Sequence, residues 1–205
     1  MTLASIKTRM WDERYRSESY VYGRNPNLFF SAQLEKSTPG RLLLPGEGEG
    51  RNAVYAASRG WLVDAFDQSV YGKRKALALA SEQGVGINYT VCELDDFPFR
   101  QKHYDAVGLI FFHVDPALRA FLHRTAYESL KPGGSLILEA FHEEQLNRHS
   151  GGPQSPELLY DEQMLANDFK SMDILLLQKA EIVLNEGIFH QGKASVIRFL
   201  GIRPS

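Results

Sequence analysis

The 205-residue sequence predicts an α/β fold: a doubly wound, mostly parallel sheet with helices on both faces and an antiparallel hairpin at its C-terminal edge. Three observations predict it. Short apolar strands alternate with helical segments between residues 41 and 141, and the first strand empties into a glycine-rich turn that opens a helix. The last two apolar segments, 174–185 and 194–202, are joined by Glu186-Gly-Ile-Phe-His190-Gln-Gly192-Lys193, which reads as a hairpin loop.

Arg41-Leu-Leu-Leu-Pro45 has the unbroken apolar run of a strand buried on both faces. The glycines Gly46, Gly48 and Gly50 then turn the chain tightly into a helix that reaches about residue 59, and Gly60 ends it. Residues 61–66 form a second strand. A helix from Ser69 to Gln83 follows, with Ala76, Leu77, Leu79 and Ala80 apolar and Gly84 as its stop. Ile87 to Cys92 is the third strand and Tyr104 to Phe111 the fourth. Asp115-Pro116 starts a helix, an N-cap residue before proline in the first turn; Leu118, Phe121, Leu122 and Leu130 keep the helical period until Pro132 stops it. Ser135 to Phe141 is the fifth strand. The 205 residues suit one domain with a sizeable core, and no internal repeat interrupts them.

Ligands of open parallel sheets lie beyond the carboxyl ends of the strands, where Gly46, Asp67, Glu93 and Phe111 fall. The glycine loop and the helix start present N–H groups to a ligand carrying negative charge. Asp67 ends the second strand, 21 residues after Gly46. A carboxylate there can accept both hydroxyls of a ribose, or it can cap the helix beginning near Ser69; its place after a glycine loop favours the ribose. Asp64 is the weaker candidate, since it lies within the strand. A dinucleotide fingerprint wants G-x-G-x-x-G, and its third glycine is replaced here by Arg51, which disfavours a nicotinamide or flavin dinucleotide.

A net charge of −2 gives no general attraction to nucleic acid or acidic membranes, so small uncharged or anionic substrates are expected. No apolar stretch has the length of a signal peptide or a spanning helix. The single cysteine, Cys92, forms no internal disulfide, and a cytoplasmic location is expected. His142 and His149, beside Glu143 and Glu144, match no metal-ligand spacing, so no metal is expected.

The order of these motifs resembles the class I S-adenosylmethionine-dependent methyltransferases, and within them the branch of tellurite-resistance and thiopurine methyltransferase-like proteins. Pro45-Gly-Glu-Gly-Glu-Gly50, Asp67, Cys92-Glu93-Leu94-Asp95-Asp96, Tyr104 to Phe111 and Leu130-Lys-Pro-Gly-Gly134 carry the resemblance, which covers nearly the whole chain. It implies a Rossmann-like sheet of seven strands with the antiparallel edge already read from the hairpin. It implies S-adenosyl-L-methionine as cofactor, held by Gly46, Glu47, Gly48, Gly50, Asn52, Asp67, Gln68, Glu93, Leu94 and Phe111. Leu44 stands where the family carries an acid, and Glu47 or Glu49 is the candidate substitute.

The chemistry so implied is methyl transfer to a small, soft acceptor such as a thiol or a reduced selenium or tellurium species. A binding protein without transfer and a nicotinamide oxidoreductase are the alternatives. After the fourth strand, Phe111-Phe112-His113-Val-Asp115-Pro116 lacks the Asn/Asp-Pro-Pro-aromatic motif of amine-modifying DNA methyltransferases. His113 is the candidate base, or a polar residue satisfied at a helix entrance. The aromatic segment 1–30 is an amphipathic helical region packed on the sheet or, as the resemblance implies, a cover over the active site that makes Trp11 and Tyr22 pocket residues. The 148–153 loop is a lid or a surface turn, with Arg148 as the residue that steers an anion.

Overall fold

The computed structural model describes residues 10–205. Among them, strands β1 (Arg41–Pro45), β2 (Leu62–Asp67), β3 (Asn88–Val91), β4 (Tyr104–Ile110), β5 (Leu130–Phe141), β6 (Asp173–Asn185) and β7 (Gln191–Ile202) form one seven-stranded sheet in the order β3-β2-β1-β4-β5-β7-β6. β1 to β5 run parallel, and β7 pairs antiparallel with both β5 and β6. Residues 10–15 are helical (α1), followed by α2 (Leu28–Leu34), α3 (Arg51–Ser58), α4 (Val70–Glu82), α5 (Pro116–Ser129) and α6 (Glu162–Asp168).

β1 explains why the core has two sides. Leu42 and Leu44 pack with Phe30, Leu34, Ala53 and Ala56 from α2 and α3, whereas Leu43 points to the opposite layer with Leu122, Ala126, Leu165 and Phe169 from α5, α6 and their flank. A strand with both faces covered needs an unbroken apolar run, which is how it reads. α6 is not anticipated by the sequence reading, and α2 is anticipated only as part of a helical region ending near residue 30: each has 7 residues, too few for an apolar period to stand out, and their Asn27 and Asp161 caps are legible only once the boundaries are known.

The Leu130 to Gly134 corner also differs from expectation. Strand pairing starts at Leu130, opposite Tyr104, and resumes at Ser135, opposite Ala106, so that the Lys131–Gly134 stretch loops out with Gly133 at φ +77°. Arg203 closes the corner: its Nη1 donates to the carbonyls of Tyr127, Glu128 and Leu130 at 3.1, 2.9 and 2.7 Å, satisfying the last turn of α5. Among the described residues no helix is long and apolar enough to cross a membrane.

Candidate functional site

The sheet order places β1 between β2 and β4, and the crevice above their carboxyl ends is a cavity of about 670 Å³. Gly46, Glu47, Gly48, Asn52, Asp67, Gln68, Glu93, Leu94 and Phe111 all line it. Gly50 does not. It lies behind the loop as the N-cap of α3 at φ +88°, where a Cβ would come within 2.4 Å of the Ala76 side chain in α4. Gly46 and Gly48 do need to be glycines on the cavity side: both have positive φ, and added Cβ atoms would meet Phe112 at 2.3 Å and the Tyr15 hydroxyl at 2.7 Å.

The glycine loop is held from several directions. Glu47 N–H donates to the Phe66 carbonyl at 3.1 Å, Tyr89 Oη donates to the Gly48 carbonyl at 2.6 Å, and Gly48 N–H donates to Asp67 Oδ2 at 3.1 Å. Because the N-cap of α3 is a glycine with no side chain, the buried Glu47 carboxylate does the capping: Oε1 accepts from Ala53 N–H at 2.7 Å, and Oε2 lies 3.5 Å from Asn52 Nδ2. Glu49 plays a different part, accepting from Lys75 and, at 3.2 Å, from Tyr22 N–H. Lys75 also donates to the carbonyls of Ser17 and Ser19 at 2.9 and 2.6 Å, tying the segment after α1 onto α4.

Burial pushes the Glu47 carboxyl up to about 7, against hydrogen bonds and the Arg51 charge that oppose the shift. The folded protein therefore holds a proton there that the unfolded chain, with an ordinary Glu near 4.5, has released, and this group's contribution to stability is lost as pH rises from about 4.5 to about 7. In the cofactor-free protein, Glu47→Gln is expected to lose that pH dependence. The gap in thermal midpoint between variant and parent should widen in the variant's favour from pH 5 to pH 7.5; a gap that stays constant across the window would contradict the shift.

Asp67 is 8 % exposed and ends β2. Its Oδ1 accepts from Ser69 N–H at 2.9 Å and its Oδ2 from Gly48 N–H. The helix cap is Ser69 instead, whose Oγ accepts from Gly72 N–H at 3.2 Å, so the carboxylate edge of Asp67 is left to the cavity. Burial raises its pKa to about 6; the two backbone donors oppose the shift, and the Glu93 and Asp12 charges add to it. Asp64 lies elsewhere, accepting from Asn88 Nδ2 at 2.9 Å and Tyr104 Oη at 3.1 Å. Cys92 borders the cavity with its thiol pushed up by burial to about 11.

The opposite wall is aromatic. Phe111, at the end of β4, has φ +51°, a conformation costly for a bulky residue, held by its N–H donating to the Glu139 carbonyl at 2.7 Å. Its ring centroid is 4.7 Å from both Phe141 and His190, and His190 is 4.6 Å from Tyr22. Trp11 stacks on Tyr15 at 5.5 Å, and both line the cavity with Tyr22. Residues 1–9 of the aromatic N-terminal segment lie outside the described residues.

Two expectations need correction. His113 lines the cavity, but Nδ1 bonds the Leu158 carbonyl at 2.7 Å and Nε2 accepts from Phe141 N–H at 3.2 Å. With one nitrogen donating and the other accepting, the ring is a fixed neutral tautomer, and burial lowers its pKa to about 4. It is a polar residue satisfied at a helix entrance, with no nitrogen left to take a substrate proton. Arg148 is the second: its Nε donates to the Glu144 carbonyl at 3.0 Å and its Nη2 pairs with Glu181 at 2.7 Å, on the surface and away from the cavity. Gly151, Gly152 and Pro153 of the same loop do line it. The loop is pinned by buried Gln145, which donates to Ser150 Oγ and the Gly151 carbonyl, both at 2.9 Å, and accepts from Ser195 N–H at 2.8 Å.

Sequence reasoning missed Arg14 and the Arg51–Glu186 pair. Arg14 lines the cavity three positions after Trp11 on α1, a spacing that puts both on one helix face and was available as a signal. Arg51, which in the sequence only breaks the dinucleotide glycine pattern, donates from Nη2 to Glu186 Oε2 at 2.9 Å and so joins the glycine loop to the β6–β7 turn.

Residues 43–134 match the family described as a methyltransferase domain. Over 140 residues the chain is 28 % identical to thiocyanate methyltransferase 1 of Brassica oleracea, a match taking in 66 % of this chain and 61 % of the plant protein. The match thus spans about three fifths of the length of that curated relative. Among solved structures, TehB from Haemophilus influenzae superposes with a TM-score of 0.70 at 15 % identity, covering 96 % of this chain and 67 % of TehB. A structure concerned with the conversion of a disulfide bond into a thioacetal group during echinomycin biosynthesis gives 0.74 at 19 % identity, covering 97 % and 92 %. Residues 43–134 are thus similar to a methyltransferase domain, and the two solved structures share the fold.

Proposed function

We propose that the protein transfers a methyl group from S-adenosyl-L-methionine to a small acceptor with a soft nucleophilic atom. The observation that carries this reading is a single cavity with two unlike walls: glycine backbone and carboxylates on the side of β1 to β3, and aromatic rings on the side of α1, β4 and the β6–β7 turn. The residues fit the cofactor. Gly46 and Gly48 offer a floor bare of side chains, Asp67 offers a buried carboxylate to the ribose hydroxyls, and Glu93 and Leu94 at the end of β3 suit the adenine. Bound there, S-adenosylmethionine supplies an electrophilic methyl group on a sulfonium.

The chain's own contribution is alignment and exclusion of water by Trp11, Tyr15, Tyr22 and Phe111, which favours an acceptor that needs no proton removed. The engaged nitrogens of His113 support the same conclusion. The plant relative's name, thiocyanate methyltransferase, points to the same class of acceptor.

Calorimetric titration is expected to give saturable binding of S-adenosylhomocysteine and none of NADH. A panel of small thiols, thiocyanate and halides, with cofactor labelled in the methyl group, is expected to yield labelled small products. NADH binding without a response to the thioether would point to the oxidoreductase alternative, binding without transfer to any acceptor would mark a cofactor-binding regulator, and transfer confined to protein or nucleic acid would overturn the small-acceptor reading.

A further inference from the structure

We propose that Arg14 receives the negative charge of the acceptor, so that the site selects small anionic nucleophiles over neutral ones; this rests on reading the cavity as a methyl-transfer site. Arg14 reaches the cavity from α1 with its guanidinium 4.9 Å from the ring centroids of both Trp11 and Phe189, and Nη1 donates to Tyr22 Oη at 2.7 Å. The guanidinium faces are thus covered by aromatic rings, while the in-plane N–H donors not used by Tyr22 need acceptors at their edge.

Charge compensation separates Arg14 from the other cations of the site. Arg51 is paired with Glu186, and Lys75 with Glu49. His113 and His190 are both pushed by burial toward the neutral form. Arg14 has no carboxylate partner among the described residues, and residues 1–9 contain no Asp or Glu that could supply one. The acidic lining comes from the other side: Glu47 and Glu49 in the glycine loop, the second paired with Lys75, and Asp67, Glu93 and Asp95 at and beyond the ends of β2 and β3. An aromatic wall with, among the described residues, one uncompensated cation suits an anion that sheds water readily: a thiolate, thiocyanate or a heavier halide rather than a carboxylate or phosphate.

The test compares the parent with Arg14→Gln, Arg14→Met and Arg14→Lys, using sodium thiocyanate as the probe. Thiocyanate binding to the S-adenosylhomocysteine complex is measured by calorimetry and its KM by label transfer, with S-adenosylhomocysteine affinity and thermal midpoint as controls. The Gln and Met variants are expected to raise both the thiocyanate dissociation constant and the KM tenfold or more, with S-adenosylhomocysteine affinity within twofold of the parent, and Arg14→Lys to recover most of the loss. Met keeps the apolar contact with the rings, so a loss shared by Gln and Met reports the charge. Unchanged thiocyanate binding in both variants, or no saturable thiocyanate binding to the parent complex, overturns the proposal. Should the parent fail to bind S-adenosylhomocysteine, the functional reading falls. Thiocyanate binding by the cofactor-free parent, abolished in Arg14→Gln, would still uphold the anion site, and its absence would remove that too.

Discussion

Asp67→Ala is expected to weaken S-adenosylmethionine binding by about one to two powers of ten, the loss of one or two charge-assisted hydrogen bonds worth about 1.5–3 kcal/mol each, partly replaced by water. The fold should survive: the space that Asp67 vacates opens on the cavity, so water entering there can serve the two buried backbone donors it satisfies, Gly48 N–H and Ser69 N–H, and Ser69 still caps α4. Asp67→Asn keeps an acceptor oxygen and should lose less. The parent should also bind the cofactor more weakly as pH falls through about 6, where the buried carboxyl of the free site takes up a proton, and the Asn variant should lack that limb. Calorimetry between pH 5 and 8 checks all three expectations. If Asp67→Ala binds like the parent, the ribose assignment is wrong.

Arg51→Ala is expected to produce the largest loss of stability. The pair with Glu186 is 8 % and 14 % exposed at its two side chains, and Glu186 also meets His190 Nδ1 at 3.2 Å. Burial by itself would raise the Glu186 pKa; His190 and Arg51 together hold it below the ordinary value, so the carboxylate stays charged. Removing the arginine leaves that charge buried with one weaker partner, at a cost of about 3–5 kcal/mol and a fall in thermal midpoint on the order of 10 °C for a chain of this size. Adding Glu186→Gln should restore a large part of the loss, because it removes the stranded charge. A single variant as stable as the parent would mean that the pair contributes nothing. The neighbouring network makes the damage local to the site: Asn27 Nδ2 donates to Glu139 Oε1 at 2.6 Å and approaches Glu186 Oε1 at 3.4 Å, joining α2, β5 and the hairpin turn.

The sequence alone determined the parts of this protein that depend on near neighbours along the chain. Leu42 to Leu44 had to be a strand covered on both faces, the alternate glycines had to be a tight turn before a helix, Asp115-Pro116 had to start α5, and the 186–193 stretch had to turn the chain back into an antiparallel edge. Each follows from backbone sterics or side-chain periodicity within a few residues. Glycine position and strand ends also located the crevice, because in a parallel sheet the loops that form it follow directly from the strands. What the tertiary structure decided was how side chains far apart in the sequence are paired. Arg51 finds Glu186 across 135 positions, which turned a departure from a glycine pattern into a tie between the glycine loop and the hairpin. Arg148 is drawn outward by Glu181, while Arg14, unremarked in its helix, faces the cavity with no carboxylate beside it among the described residues. His113 has both nitrogens occupied by backbone groups from elements 28 and 45 positions away. Whether a charge is compensated, or a nitrogen is available, depends on desolvation and on partners brought together only by the packed sheet, and neither quantity has a period along the chain.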